Sequence, residues 1–142
     1  MDALIQSLVQ ANFAPERIVP QASMAQYTTL RIGGPAEVMV NIHSADEIAV
    51  ALRAAKQADA PVTIIGNGSN LLVSDAGLNG IAILLDSSFD GEIELDGTVL
   101  LAPAGKKLSA VCAAACAAGL TGLEFAYGIP GSVGGAGYMN AG

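Results

Sequence analysis

The apolar run Val62-Thr63-Ile64-Ile65 passes without a break into Gly66-Asn67-Gly68-Ser69-Asn70, and this junction constrains the fold more than any other feature of the 142-residue chain. An unbroken run of this kind reads as a short strand buried on both faces, as in parallel sheets. A second strand is predicted upstream, where apolar and polar residues alternate over residues 36–42 behind Gly33-Gly34-Pro35. Between the two, Ser44-Ala45-Asp46-Glu47 has the pattern of a capping box, in which the Ser and Glu side chains each satisfy a free N–H at a helix start. The helix is predicted to run to about Ala58, burying Ile48, Leu52 and Ala55, with Pro61 at its exit. Strand, helix, strand is a βαβ unit. Its glycine loop lies at the carboxyl end of the second strand, where α/β sheets gather ligands.

The flanking segments extend this unit in both directions. Leu4, Ile5, Leu8 and Val9 fall at helical spacing in residues 2–11, before Pro15 and Pro20 interrupt the pattern. Beyond Asn70, Leu71-Leu72-Val73 and Ile81-Ala82-Ile83-Leu84-Leu85 flank a turn containing Gly77 and Asn79-Gly80. The pattern then becomes all-β: Glu92-Ile93-Glu94-Leu95 and Thr98-Val99-Leu100-Leu101 are predicted to pair as a hairpin through a type I′ turn at Asp96-Gly97. A helix over residues 107–118 is stopped by Gly119. Residues 119–142 hold eight of the 17 glycines and show no obvious regular element, while Leu120, Leu123, Phe125, Ile129 and Val133 argue against disorder. The expected fold class is α+β, a βαβ subdomain followed by a mixed or antiparallel one. Residues 1–19 form an N-terminal helix and loop, and residues 20–142 the main domain.

Bulk properties remove several function classes. Six Lys and Arg stand against 13 Asp and Glu, so the net charge of −7 disfavours nucleic acid or an anionic membrane as partner. A small anionic ligand remains compatible, because glycine lets backbone N–H groups turn toward a phosphate without a Cβ in the way. The longest apolar stretch, residues 108–120, falls short of a membrane span, and Asp2 stands where a signal peptide carries a basic residue. A cytoplasmic location is expected. Cys112, Cys116 and the single His43 are too few and too scattered for a metal site, and the cysteines read as small apolar packing groups.

Three glycine motifs fail on inspection. A dinucleotide fingerprint needs a third glycine where this chain has Leu71. Gly105-Lys106-Lys107 lacks both the leading glycine of a P-loop, with Leu100 in its place, and the trailing Ser or Thr. Neither Ser69 nor Ser132 has glycines two before and two after it, as a nucleophile elbow requires. What remains is a nucleotide cradle of another kind, built from residues 66–70 and a second loop, Gly128-Ile129-Pro130-Gly131-Ser132-Val133-Gly134-Gly135-Ala136-Gly137.

The runs Thr28-Thr29-Leu30-Arg31-Ile32-Gly33-Gly34-Pro35-Ala36, Gly66-Asn67-Gly68-Ser69-Asn70-Leu71-Leu72-Val73 and Gly122-Leu123-Glu124-Phe125-Ala126-Tyr127-Gly128-Ile129-Pro130-Gly131-Ser132-Val133-Gly134-Gly135, ending Tyr138-Met139-Asn140-Ala141-Gly142, resemble the UDP-N-acetylenolpyruvoylglucosamine reductase family over residues 20–142. The resemblance implies an FAD-binding domain of the PCMH (vanillyl-alcohol-oxidase-like) type from a bacterial cytoplasmic flavoenzyme of peptidoglycan synthesis. In that family NADPH reduces FAD, and hydride passes to the enolpyruvyl group of a UDP-sugar to give UDP-N-acetylmuramate. The family's catalytic serine, arginine and glutamate lie downstream of the motifs present here, so the chain is expected to be a truncated FAD-binding portion without its substrate domain and without turnover. Carried over residue by residue, Gly66, Asn67, Gly68, Ser69 and Asn70, with Leu71 beside them, would hold the FAD pyrophosphate through backbone N–H groups, the Ser69 hydroxyl and the Asn70 amide. Ile129, Pro130, Gly131, Ser132, Gly134 and Gly135 would line the flavin side. The plain alternatives are an ordinary βα turn for the first loop and close backbone packing for the second. Arg31 reads equally as a salt-bridged strand end or a ligand contact, whereas Glu124 and Tyr127 read as solvated or locally bonded groups. Another flavin oxidoreductase of the same fold, or a nucleotide-binding module without chemistry, are the competing functions.

Overall fold

The computed structural model describes residues 2–141 and places four strands in one mixed sheet. Helix α1 (Asp2–Gln10) buries Leu4 and Leu8, and a 3₁₀ turn at Pro15–Arg17 leads into β1 (Ile18–Ser23), which pairs antiparallel with β2 (Pro35–Asn41). Helix α2 (Ala45–Gln57) then crosses over to β3 (Val62–Ile65), and β4 (Leu78–Leu84) follows. The strand order is β1-β2-β4-β3, with β4 parallel to both of its neighbours.

The predicted βαβ unit is therefore present but split, because β4 inserts between its two strands. That insertion overturns the burial expected of residues 62–65. As the edge strand, β3 leaves Val62 39% and Ile64 62% exposed, and only Ile65 is buried. The strand buried on both faces is β4, where residues 80–84 are all buried. Asn79-Gly80, predicted to lie in a turn, sits inside β4 and forms a bulge: the register steps from Ala36↔Leu78 to Val38↔Ile81, with Gly80 at φ +75°. A Cβ on Gly80 would come 2.2 Å from the Pro61 carbonyl oxygen, and the Gly80 N–H donates to Glu37 Oε2 at 2.8 Å. Residues 71–73 make no strand, although Val73 is buried.

Strand alternation sorts the core into two clusters. Val38, Val40, Ile81 and Ile83 face α1 and α2, while Met39, Ala82 and Leu84 face the other way, onto Met24, Tyr27, Leu71 and Val73. The second face is thus covered by loops rather than by helices, and those loops carry the glycine motif. On α2 the buried stripe is Ala51, Ala54 and Ala55; Leu52, predicted inside, is 43% exposed and Ile48 half-buried. The capping box closes only halfway. Ser44 Oγ accepts the Glu47 N–H at 3.4 Å, but the Glu47 carboxylate accepts from the His43 N–H at 2.7 Å and from both terminal nitrogens of Arg17, at 2.8 and 2.6 Å. The Arg17 guanidinium lies 4.9 Å from the Phe13 ring centre. Its hydrogen bonds and charge hold Glu47 below the usual carboxylate range against the opposing effect of burial.

The hairpin exists, one residue out of phase with expectation. In β5 (Glu94–Asp96) and β6 (Val99–Leu101), Asp96 pairs with Val99, so the loop is Gly97-Thr98 and only Gly97 has positive φ, as in a II′ turn. Helix α3 (Leu108–Ala117) ends as predicted at Gly119, with φ +69° and the paired bonds Gly119 N–H to Cys116 O and Leu120 N–H to Ala115 O of a Schellman cap. Cys112 is buried on this helix, but Cys116 is exposed rather than packed.

A further helix, α4 (Val133–Met139), appears where no regular element was expected. Its three glycines give it little intrinsic propensity. Ser132 caps it by accepting the Gly135 N–H at 3.2 Å, and bonds from Val133 N–H to Lys106 O and Gly134 N–H to Ala104 O dock its first turn. Asn140, in the left-handed conformation at φ +48°, ends it.

Candidate functional site: a two-chambered groove at the glycine loops

Residues 66–70 leave the carboxyl end of β3 and are clamped from two sides. On one side Gly68, at φ +62°, lies against the turn at residues 27–29: a Cβ there would come 1.9 Å from Tyr27 O, and Gly68 O accepts the Thr29 N–H at 3.1 Å. Buried Thr28 stiffens that turn by donating its hydroxyl to Ile32 O at 3.1 Å. On the other side the second loop closes in. The Ser69 hydroxyl donates to Pro130 O at 2.9 Å, and a Cβ on Gly66 would come 2.5 Å from Ser132 Oγ. At Gly68 the clamp needs glycine both for close approach to backbone atoms and for the backbone angle, whereas a Cβ at Gly66 would displace the Ser132 hydroxyl.

The two predicted loops meet around a cavity of about 410 Å³. Eleven of the twelve residues predicted to bind ligand line it: Gly66, Asn67, Gly68, Ser69, Asn70, Leu71, Ile129, Pro130, Gly131, Ser132 and Gly135. Gly134 is not in the lining. Its N–H goes to Ala104 O at 2.9 Å, and an added Cβ would sit 3.0 Å from Ala104 Cβ, so this glycine serves the packing of α4. Residues missed by the sequence reading complete the wall, chiefly Ile64, Tyr138 and Met139. The exposure of Ile64 follows from the edge position of β3, and the other two are placed by α4; neither signal is local.

Among the described residues, none of the N–H groups of Gly66, Asn67, Gly68, Ser69 and Asn70 donates a hydrogen bond within the chain. Gly131 and Ser132 likewise keep free N–H groups, whereas those of Val133, Gly134 and Gly135 are engaged. Five consecutive N–H groups without a partner in the chain, on a clamped glycine loop that lines the cavity, are a donor set suited to phosphate oxygens. The donor set therefore fits a pyrophosphate, with apolar Ile64, Leu71 and Ile129 beside it.

A second chamber, about 510 Å³, adjoins the first and shares Gly66 and Asn67 with it. Its wall is mixed and more polar than that of the first, with Thr29, Arg31, Asp86, Ser87 and Lys107 beside Tyr27, Leu84 and Leu85. Burial raises the Asp86 carboxyl, but donation from the Ser88 hydroxyl and N–H and from the Asn41 amide outweighs this and keeps it below its ordinary value. Lys106 pairs instead with Glu92 at 3.6 Å, and Glu124 accepts the Gly122 N–H at 2.7 Å, a local turn contact away from the cavity lining.

The chain resembles known proteins in the same region. A family model described as "FAD binding domain" matches residues 36–142. The UDP-N-acetylenolpyruvoylglucosamine reductase of Pediococcus pentosaceus is 43% identical over 137 residues, which is 96% of this chain and 45% of that protein. The enzyme of the same name from Bacillus subtilis is 41% identical over 142 residues, 100% of this chain and 46% of its own length. Among solved structures, UDP-N-acetylenolpyruvylglucosamine reductase (MurB) from Thermus caldophilus superposes with a TM-score of 0.65 at 38% identity, covering 88% of this chain and 42% of that one. The chain thus spans less than half the length of these relatives. With a matched region that begins at β2 and contains both clamped loops, the chain belongs to the FAD binding domain family.

Proposed function

We propose that this chain is the FAD-binding portion of an NADPH-dependent UDP-N-acetylenolpyruvoylglucosamine reductase acting in peptidoglycan synthesis in the bacterial cytoplasm. The observation that carries the reading is the row of free N–H groups at residues 66–70, clamped at the carboxyl end of β3 against a second loop. These amides would hold the pyrophosphate of FAD. Gly131 and Ser132 would add two more donors, and the apolar wall around Ile129 and Pro130 would receive a flat aromatic ring and shield it from water. The chemistry that FAD supplies when bound is hydride relay, from NADPH to the enolpyruvyl group of a UDP-sugar. The chain's own part is to bind and orient. Ser69, through its bond to Pro130 O, keeps the two loops at a fixed separation, and Asn67 and Asn70 present amide side chains at the rim. The charge of −7 disfavours nucleic acid and anionic membrane surfaces as partners in this reading, and no helix among the described residues is long and apolar enough to cross a bilayer.

Titration of the purified protein with FAD tests the reading. Saturable quenching of flavin fluorescence, with a shift of the flavin absorption bands, is expected at one FAD per chain. A titration that leaves the spectrum of free FAD unchanged refutes it.

A further inference from the structure

We propose that Arg31 is a phosphate-reading residue of the cradle, its guanidinium pairing with the pyrophosphate of the dinucleotide held by residues 66–70; the inference rests on the FAD reading above. Arg31 lines the second chamber, and that chamber meets the first along Gly66 and Asn67, the first two members of the free N–H row. A diphosphate bound on the row therefore faces the chamber in which Arg31 stands. The arginine is also tied mechanically to the row: its N–H donates to Thr28 O at 3.2 Å, and the next residue, Thr29, donates its N–H to Gly68 O at 3.1 Å.

The side chain has no other employment. Among the described residues the Arg31 guanidinium makes no hydrogen bond or ion pair, while Arg17 is committed to Glu47 and Lys106 to Glu92. Asp86, the one carboxylate lining the chamber, is already served by Asn41 and Ser88. Its backbone adds a separate argument. Arg31 sits at φ +55°, left-handed geometry that glycine or asparagine adopts more readily than arginine. A residue needed only to make the turn would be better as glycine, so the long cation is present for what it reaches. Electrostatics supplies the reason. A chain with six basic residues and a net charge of −7 repels a polyanion at long range, and a guanidinium fork beside the amide row offsets that locally while matching phosphate geometry.

The test compares FAD, ADP and riboflavin binding by the wild-type protein and by Arg31→Gln, Arg31→Lys and Arg31→Gly. Loss of one charge-assisted contact is expected to weaken FAD and ADP about tenfold or more in Arg31→Gln, with partial recovery in Arg31→Lys and no change for riboflavin, which has no phosphate. Arg31→Gly is expected to unfold at the wild-type temperature or above it yet to bind FAD no better than Arg31→Gln. Undiminished FAD affinity in Arg31→Gln, or an equal loss for riboflavin, overturns the inference and leaves the FAD reading standing. A wild-type protein that takes up neither FAD nor ADP removes both.

Discussion

Gly68→Ala is the sharpest probe of the cradle, because the structure gives it no room and no easy escape. A Cβ at this position would lie 1.9 Å from Tyr27 O, 2.9 Å from Tyr27 C and 3.1 Å from Thr28 Cα, all of them backbone atoms. Carbon and carbonyl oxygen in contact sit roughly 3.3 Å apart, so the loop and the turn must separate by about 1.4 Å. That shift removes the 3.1 Å bond from Thr29 N–H to Gly68 O, at a cost of about 1 kcal/mol. Holding alanine at the Gly68 backbone angle of φ +62° adds about 1–2 kcal/mol. The sum, about 2–3 kcal/mol, is a large share of the ~5–15 kcal/mol typical of a domain but leaves most molecules folded. Urea unfolding followed by circular dichroism reads this cost, and FAD titration of the still-folded variant is expected to show at least a tenfold loss as the N–H row moves off its clamp. Asn67→Ala, at an exposed neighbouring position without these contacts, is the control and is expected to stay within ~0.5 kcal/mol of wild type. If Gly68→Ala matches that control in stability and retains wild-type FAD affinity, the reasoning from close approach is wrong.

Two further predictions concern the scaffold. The Arg17–Glu47 pair is bidentate, with side chains 20% and 25% exposed. The folded-state pKa of Glu47 is lowered from 4.5, so its contribution is present above that unfolded value and is lost as pH falls through the folded one. Glu47→Gln is expected to cost about 2 kcal/mol near neutral pH, discounted for partial exposure, and to flatten the acid fall in urea midpoint; an acid slope identical to wild type would sink the assignment. Ser132→Ala removes the cap of α4 and is expected to cost about 1 kcal/mol. Faster amide hydrogen exchange at Gly135, whose N–H loses its acceptor, would accompany that loss, and unchanged protection there would show that α4 is held by docking alone.

Much of this protein is legible in its sequence because the signals are local. Ser44 and Glu47 mark the start of α2, Gly119 closes α3, and Gly97 turns the hairpin, each through the backbone angle or side-chain oxygen of a residue within one turn of the element it ends. The two glycine loops belong to the same class, and of the twelve residues that the family resemblance assigned to them, eleven line the cavity. The tertiary structure decided what depends on partners far along the chain. It inserted β4 between β2 and β3, exposing Ile64 to form a wall of the site, and it converted Asn79-Gly80 from a turn to a bulge against Pro61. Glycine-rich α4 is helical through the Ser132 cap together with Lys106 and Ala104, which accept its first N–H groups, and the same docking drew Gly134 out of the cradle. Arg31 acquired its position in the same way, through a turn fastened to Gly68 across a gap of nearly forty residues. Capping and turn chemistry act over a few residues and can be read in order, whereas strand order, close approach and the wall of a cavity arise from contacts whose partners the linear pattern does not name.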